Sequence, residues 1–198
     1  EENSKTLPLS NSTTKFTLSY IGVLEQLRNP EILWETLNDL VQENADFKND
    51  FQLKFVGRLD DKILQKIESS ALKNNLTNLG YQTHDVALKH MQDSTVLLMT
   101  NFPQESSKGI IPGKIFEYLA TGKTILSFGP KDADVEKILN ETKAGKHFGY
   151  DEKENLKKFI LDSYQNWKLG TLNQNAENIE QFSRKNLTQK LVDLMNKI

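Results

Sequence analysis

The residues best suited to chemistry fall in one short segment, 106–123, which reads SSKGIIPGKIFEYLATGK. Lys114 and Glu117 stand three residues apart, so a helix that begins at Pro112 would place both on one face. Free backbone amides at such a helix start, together with the Lys114 ammonium, are suited to holding a phosphate, and Glu117 can accept hydrogen bonds from a vicinal diol such as ribose. The segment therefore indicates a nucleotide site, although a lone K-x-x-E is also typical of a surface ion pair of about 0.2–0.5 kcal/mol.

Strand-like and helix-like patterns alternate along the chain, and they predict the elements that must position this segment. An apolar run at 95–100, bounded by polar residues, is typical of a central strand covered on both faces. The alternation predicts an α/β fold, a doubly wound, mostly parallel Rossmann-like sheet with helices on both faces. The predicted strands are 16–21, 51–56, 76–81, 95–100, 124–128 and 145–148. Helical patterns follow at 30–44, 63–72, 84–91, 112–122, 135–139 and 156–164.

Ligands of doubly wound sheets bind beyond the carboxyl ends of the strands. This rule selects the segments after Ile21, Val56, Tyr81 and Thr100, with the helix from Pro112 directed at the same crevice. Gly22 would let the backbone approach a phosphate there, or it simply ends the strand.

Composition excludes several classes of protein. The 198 residues suffice for one full-sized domain, and a net charge of −2 gives no overall attraction to nucleic acid or an anionic membrane. No apolar run is long enough to span a bilayer, the polar start of the chain lacks the pattern of a signal peptide, and the absence of cysteine fits a cytoplasmic protein. The three histidines share no metal-binding spacing, so no metal site is expected. The GKT sequence at 122–124 lacks the context of a P-loop.

The chain is predicted to have three parts. Residues 1–15 form a polar linker, and residues 16–169 form the Rossmann-like domain that carries the expected nucleotide site, which the resemblance described next makes a nucleotide-sugar-binding domain. Residues 170–198 connect to an amphipathic C-terminal helix whose apolar stripe is Leu187, Leu191, Leu194 and Ile198.

Several motifs resemble the C-terminal, donor-binding half of the group 1, or family 4, glycosyltransferases, which are two-domain enzymes of the GT-B type. Residues 111–123 are similar to the variant donor motif I-P-x-K-x-x-E-Y-x-A-x-G-K of that family. The sequences YIG at 20–22, RNP at 28–30, FVG at 55–57, GY at 80–81 and GKTIL at 122–126 also fall where that half would place them.

The resemblance assigns roles to individual residues. Glu117 corresponds to the second glutamate of an E-x7-E motif, which holds the donor ribose, whereas the first glutamate is replaced by Gly109. The contact of that missing glutamate is then absent or supplied otherwise, and Lys114 is the nearest charged candidate. Arg28 matches a basic residue that neutralises the donor pyrophosphate, with Arg58 a weaker match. The donor is also expected to contact Gly22, Gly109, Ile110, Ile111 and Gly113, and its base to contact Tyr81 and His84.

The resemblance thus implies the donor-binding half of a retaining glycosyltransferase that works in polysaccharide biosynthesis. Its donor substrate is a UDP-, GDP- or dTDP-linked sugar, with no tightly bound cofactor. A carbohydrate or lipid-linked acceptor would bind the N-terminal half of the enzyme, which would be cytoplasmic or peripheral to the inner face of the membrane. The isolated half is expected to be inactive, with Lys114 and Glu117 as the catalytic candidates. Two alternatives stay open: a nucleotide-sugar 2-epimerase, and a non-catalytic nucleotide- or sugar-binding module.

Overall fold

A computed structural model of the protein describes residues 14–172 and 176–197. Its strands are β1 (Phe16–Ile21), β2 (Phe51–Val56), β3 (Leu76–Asn78), β4 (Val96–Thr100), β5 (Thr124–Phe128) and β6 (Gly145–Phe148). They form one sheet in the order β3-β2-β1-β4-β5-β6, and every neighbouring pair is parallel. The predicted fold class is therefore confirmed, and β4 lies at the centre of the sheet, beside β1, as its apolar run predicted.

Helices cover both faces of the sheet because successive side chains of a buried strand point in opposite directions. The helices are α1 (Glu31–Glu43), α2 (Ala45–Asp50), α3 (Asp61–Glu68), α4 (His84–Gln92), α5 (Lys114–Ala120), α6 (Asp134–Thr142), α7 (Lys153–Lys168) and α8 (Arg184–Met195). Leu98 of β4 belongs to a core cluster with residues of α1, α3 and α7, whereas Leu97 belongs to a second cluster with residues of α4, α5 and α6.

Two helices begin later than predicted. The helix expected from residue 30 begins at Glu31, and Pro30 is its capping residue. The side chain of Asn29 does not cap this helix, because it accepts a hydrogen bond of 2.6 Å from the buried indole N–H of Trp34. Likewise Pro112 lies outside α5, for which Gly113 is the N-cap.

Two other predicted segments were too long, and one short helix was not predicted. The third strand stops at Asn78 rather than Tyr81, and α3 stops at Glu68. Leu72 is buried, but it belongs to a separate 3-10 turn, Ala71–Asn75. The short helix α2, capped by the Asn44 side chain, was not predicted because its six residues are too few for a clear helical period.

The C-terminal segment is anchored at its start and exposed at its end. The amide of Glu177 donates to the carbonyl of Thr142 over 2.7 Å, and the ring of Phe182 lies 6.4 Å from that of Phe116 on α5. Helix α8 buries none of its described side chains, and the predicted stripe is exposed at Leu191 and Leu194, while Ile198 lies outside the described residues. In the described parts of the chain no helix is long and apolar enough to cross a bilayer.

Candidate functional site

Three neighbouring strands end in glycines at the carboxyl edge of the sheet. Gly22, Gly57 and Gly80 follow β1, β2 and β3, and all three have positive φ angles, of 118°, 124° and 63°. The amide of Gly22 donates to the carbonyl of Val56, and the amide of Gly57 donates to that of Gly80, each over 2.7 Å. A β-carbon on Gly57 would lie 2.1 Å from the carbonyl oxygen of Gly22, so these turns can pack this closely only as glycines.

Lys114 crosses from α5 to the end of β1. Its ammonium donates to the carbonyl of Ile21 over 2.9 Å and lies 4.4 Å from the centre of the Tyr20 ring. A β-carbon on residue 22 would sit 3.2 Å from the Lys114 nitrogen. The glycine at position 22 therefore leaves room for this cation, while its own amide is already bound within the sheet.

Arg28 reaches the same turn from the other side. Its guanidinium donates to the carbonyl of Val23 over 3.1 Å and pairs with the carboxylate of Glu25 at 3.3 Å. The group also lies over the ring of Phe102, 5.4 Å from its centre, in the loop that follows β4. Its Nε is buried without a hydrogen-bond partner, an arrangement that costs about 1–3 kcal/mol.

Tyr118 reaches the same end of β1 as Lys114. Its hydroxyl group lies between the ends of β1 and β4, 3.4 Å from the amide of Ile21 and 3.3 Å from the carbonyl of Leu98. Complete burial raises the pKa of Tyr118, so this hydroxyl stays protonated. Lys114 lies one helical turn earlier on the same face of α5, and both side chains reach the point where the strand order reverses, where doubly wound sheets bind ligands.

Glu117 is placed differently from Lys114. Glu117 is exposed, and its carboxylate makes no hydrogen bond or ion pair with Lys114 or with any other described residue. The surface ion pair that a K-x-x-E spacing alone also allowed is therefore not formed. The Glu117 carboxylate remains available to an outside ligand.

The loop before α5 presents backbone rather than charged side chains. Gly109, Ile110, Ile111 and Gly113 are all exposed, with Ile110 and Ile111 at 45% and 40% of full exposure. The amide of Ile110 already donates to the carbonyl of Ser107 over 2.9 Å. The amides of Gly109, Ile111 and Gly113 make no hydrogen bond within the described residues and are the free donors of this loop.

The predicted base-binding residues lie apart from the two cations, beyond β3. Tyr81 is 87% exposed and His84, the first residue of α4, is also exposed. Arg58 is exposed after β2, and its side chain makes no hydrogen bond or ion pair with any described residue. Where the structure is described, no group of three or more His, Cys, Asp or Glu side chains could hold a metal ion.

Sequence reasoning missed a group of buried polar residues on the β4 side of the edge. Asn101, Ser107 and His147 are all less than a tenth exposed, and each is hydrogen-bonded to the backbone of a neighbouring loop. Tyr150 donates to the carbonyl of Asn101 over 2.6 Å, and burial raises the pKa of its hydroxyl group. The only sign of this group in the sequence was Asn101, a polar residue directly after an apolar strand. Many loops share that pattern.

The fold of this chain is similar to those of several solved proteins. No protein-family model and no curated protein sequence matches the chain. Among solved structures, S. aureus TarM is similar, with 19% identity, a TM-score of 0.66 and coverage of 96% of this chain and 38% of TarM. Anabaena HepE has 17% identity, a TM-score of 0.68 and coverage of 93% and 49%. The C-terminal domain of a glycosyl transferase group 1 family protein from Francisella tularensis has 12% identity, a TM-score of 0.62 and 84% coverage of both chains.

These comparisons define the class of fold. The chain has the Rossmann-like fold of the C-terminal domain of GT-B glycosyltransferases, as the resemblance predicted. It spans less than half the length of TarM and of HepE, and most of the Francisella domain.

Proposed function

We propose that this chain is the donor-binding half of a retaining glycosyltransferase, which transfers a sugar from a nucleotide diphosphate to an acceptor held by an N-terminal half. One observation carries the proposal. Lys114 and Arg28, from distant parts of the chain, converge on the single turn 20–23 where β1 ends. Two cations at the point where the strand order reverses fit the two negative phosphates of a nucleoside diphosphate.

The chemistry follows from where charge develops in the reaction. When the bond between sugar and diphosphate breaks, negative charge grows on the departing phosphate oxygen. Lys114, Arg28 and the free amides of Gly109, Ile111 and Gly113 would stabilise that charge, which is the largest contribution in many such reactions. Glu117 would accept hydrogen bonds from the ribose hydroxyls, and Tyr81 and His84 would contact the base.

The comparisons support a nucleotide-sugar donor. A TarM structure is a complex with UDP, and HepE structures hold UDP with glucose or UDP-glucose. We therefore place UDP first among the candidate diphosphates. In the same proposal, α8 packs through its exposed stripe on the N-terminal half, and the whole enzyme works in the cytoplasm in polysaccharide biosynthesis. The isolated chain then binds nucleotide weakly and transfers no sugar.

A calorimetric titration with UDP, GDP, dTDP and ADP tests the site. One diphosphate should bind preferentially, and Glu117→Ala and Lys114→Met should each weaken it by about 1–3 kcal/mol, as expected for the loss of a charged hydrogen-bond partner. Lys123→Met is the matched control, because Lys123 is a half-buried lysine at the amino end of β5, on the opposite edge of the sheet.

Equal affinity of the three variants and the parent chain would contradict the assignment of the site. The absence of binding by all four diphosphates at millimolar concentration would contradict donor binding by this half alone. Sugar transfer catalysed by the isolated chain would contradict the claim that the N-terminal half is required.

The replacement of the first motif glutamate by Gly109 favours a second candidate, a non-catalytic module that binds the same nucleotide. Gly109 is exposed, and no described carboxylate makes a hydrogen bond or ion pair with it. Donor hydrolysis by the two-domain protein would exclude this candidate. The same assay, followed for epimerised donor, tests the 2-epimerase alternative.

A further inference from the structure

Asn101 is a buried polar residue at the centre of the carboxyl edge, immediately after β4. We propose that Asn101 is a positioning residue, which holds the Gly109 loop and the Arg28 side chain on opposite flanks of the candidate diphosphate site. This inference rests on the proposed function for the identity of the ligand.

The first flank is the loop that precedes α5. The side-chain amide of Asn101 donates to the carbonyl of Ile110 over 3.0 Å and to that of Ser107 over 3.4 Å. The Ser107 hydroxyl lies 2.6 Å from the carbonyl of Phe102 and 2.8 Å from that of Gln104. The loop 102–110 is thus folded around one side-chain amide, and its exposed amides at Gly109 and Ile111 lie on either side of the anchored residue.

The second flank is the platform under Arg28. The side-chain oxygen of Asn101 accepts a hydrogen bond of 2.9 Å from the amide of Phe102. The Phe102 ring is the surface over which the Arg28 guanidinium lies, and the Nε of that guanidinium is buried without a partner. A shift of Asn101 would therefore move the Arg28 platform and the Gly109 loop together.

The backbone of Asn101 is hydrogen-bonded to two other segments of the chain, and these bonds fix the position of its side chain. Its backbone amide donates to the carbonyl of Phe128 over 2.8 Å, and its carbonyl accepts the Tyr150 hydroxyl over 2.6 Å. The residue is 5% exposed. An amide side chain is required, because it accepts from one backbone group while it donates to another, whereas a carboxylate can only accept.

The adjacent residue provides a matched control. Thr100 is 2% exposed, and its hydroxyl group makes no hydrogen bond within the described chain. Thr100→Val keeps the shape and removes no contact of the loop. Asn101→Asp keeps the acceptor for Phe102 and removes the donor to the carbonyls of Ile110 and Ser107, placing a negative charge against them.

Hydrogen exchange of the backbone amides, together with nucleotide titration, tests the inference. In Asn101→Asp we expect exchange at 102–111 to rise about tenfold or more, the effect of losing one buried hydrogen bond, with β1 and β2 unchanged. Affinity for the preferred diphosphate should fall about tenfold, while affinity for the corresponding nucleoside, which lacks phosphates, should stay the same. Thr100→Val should change none of these quantities.

Unchanged exchange at 102–111 in Asn101→Asp would overturn the inference, and so would faster exchange throughout the sheet, which would make Asn101 a general stability residue. If Asn101→Asp does not fold, Asn101→Ala removes the same donor without adding a charge, and faster exchange confined to 102–111 is again the expected result. If the parent chain binds no diphosphate, the proposed function fails, whereas the exchange data still decide whether Asn101 fixes the loop.

Discussion

The two halves of the carboxyl edge are built in different ways. On the side of β1, β2 and β3, the strand ends are glycines in left-handed conformations, bonded to one another through backbone groups. On the side of β4, β5 and β6, the loops are held by buried polar side chains, chiefly Asn101, Ser107 and His147. Lys114 and Arg28 lie where the two halves meet.

This difference shows two physical ways to hold the loops at the carboxyl edge of a sheet. Glycine turns need no side-chain partner, because the backbone bonds to itself and the missing β-carbon permits the close approach. A buried polar side chain costs free energy unless each of its polar atoms finds a partner, so it fixes a loop only through a complete set of hydrogen bonds. The stability of the side of β1, β2 and β3, the glycine half, should therefore be sensitive to added side-chain volume. The stability of the side of β4, β5 and β6, the polar half, should be sensitive to the loss of hydrogen-bond donors and acceptors.

The largest expected effect is at Gly57 in the glycine half. Gly57→Ala places a β-carbon 2.1 Å from the Gly22 carbonyl oxygen and forces a positive φ on alanine, so we expect a loss of about 3 kcal/mol or more in the free energy of unfolding. Urea unfolding measures it. Gly113→Ala is the control, because no atom lies within 4 Å of its added carbon, and it should stay within about 0.5 kcal/mol of the parent. Equal effects would remove the distinction between the two halves.

His147 in the polar half gives a prediction on pH. Its ring nitrogens lie 3.0 Å from the Ser127 hydroxyl and 3.0 Å from the carbonyl of Pro130, and burial lowers its pKa, although Glu136 and Glu152 act in the opposite direction. Because the folded-state pKa lies below the unfolded value, the unfolded chain binds the proton first as the pH falls. The contribution of His147 to the free energy of unfolding is complete above about pH 6.5. Below that pH it is lost, by up to about 1.4 kcal/mol per pH unit.

Urea unfolding between pH 7.5 and pH 5, at intervals of about half a unit, measures this slope. His147→Gln should reduce the slope over that range. The exposed His84 provides the control, and His84→Gln should leave the slope as it is in the parent. Identical slopes for the two variants would show that the proton uptake occurs elsewhere.

The smallest effect is expected at Tyr150. Tyr150→Phe removes only the hydroxyl that donates to the Asn101 carbonyl, so we expect a loss of about 1 kcal/mol in the free energy of unfolding. Tyr81→Phe, at an 87% exposed site, should cost nothing measurable. A loss no larger than that of Tyr81→Phe would show that the hydrogen bond adds little to the polar half.

The glycine half was largely predictable from sequence, and the polar half was not. An apolar strand followed by glycine predicted the turns after Ile21 and Val56, and the alternation of strands and helices predicted the parallel sheet. The third strand was overestimated, because Leu79 and Tyr81 continue an apolar pattern after pairing with β2 has ended at Asn78. No sequence motif marks Asn101, Ser107 or Tyr150. Their roles depend on hydrogen-bond partners in other segments of the chain, such as the Tyr150 hydroxyl for the Asn101 carbonyl.

Sequence alone determined the fold class, and it predicted the edge of the sheet for the candidate site. Both follow from local rules of periodicity and glycine conformation, which act within a few residues. Lys114 was proposed as a cation of the site from its place at a helix start, and Arg28 from the family resemblance. Only the tertiary structure decided that Lys114 faces Tyr20 and Ile21 while Glu117 stays exposed, and that Asn101 ties the loops of the polar half together. Those contacts join residues from separate elements, and a buried polar atom takes whichever partner the packed sheet and helices bring within hydrogen-bonding distance.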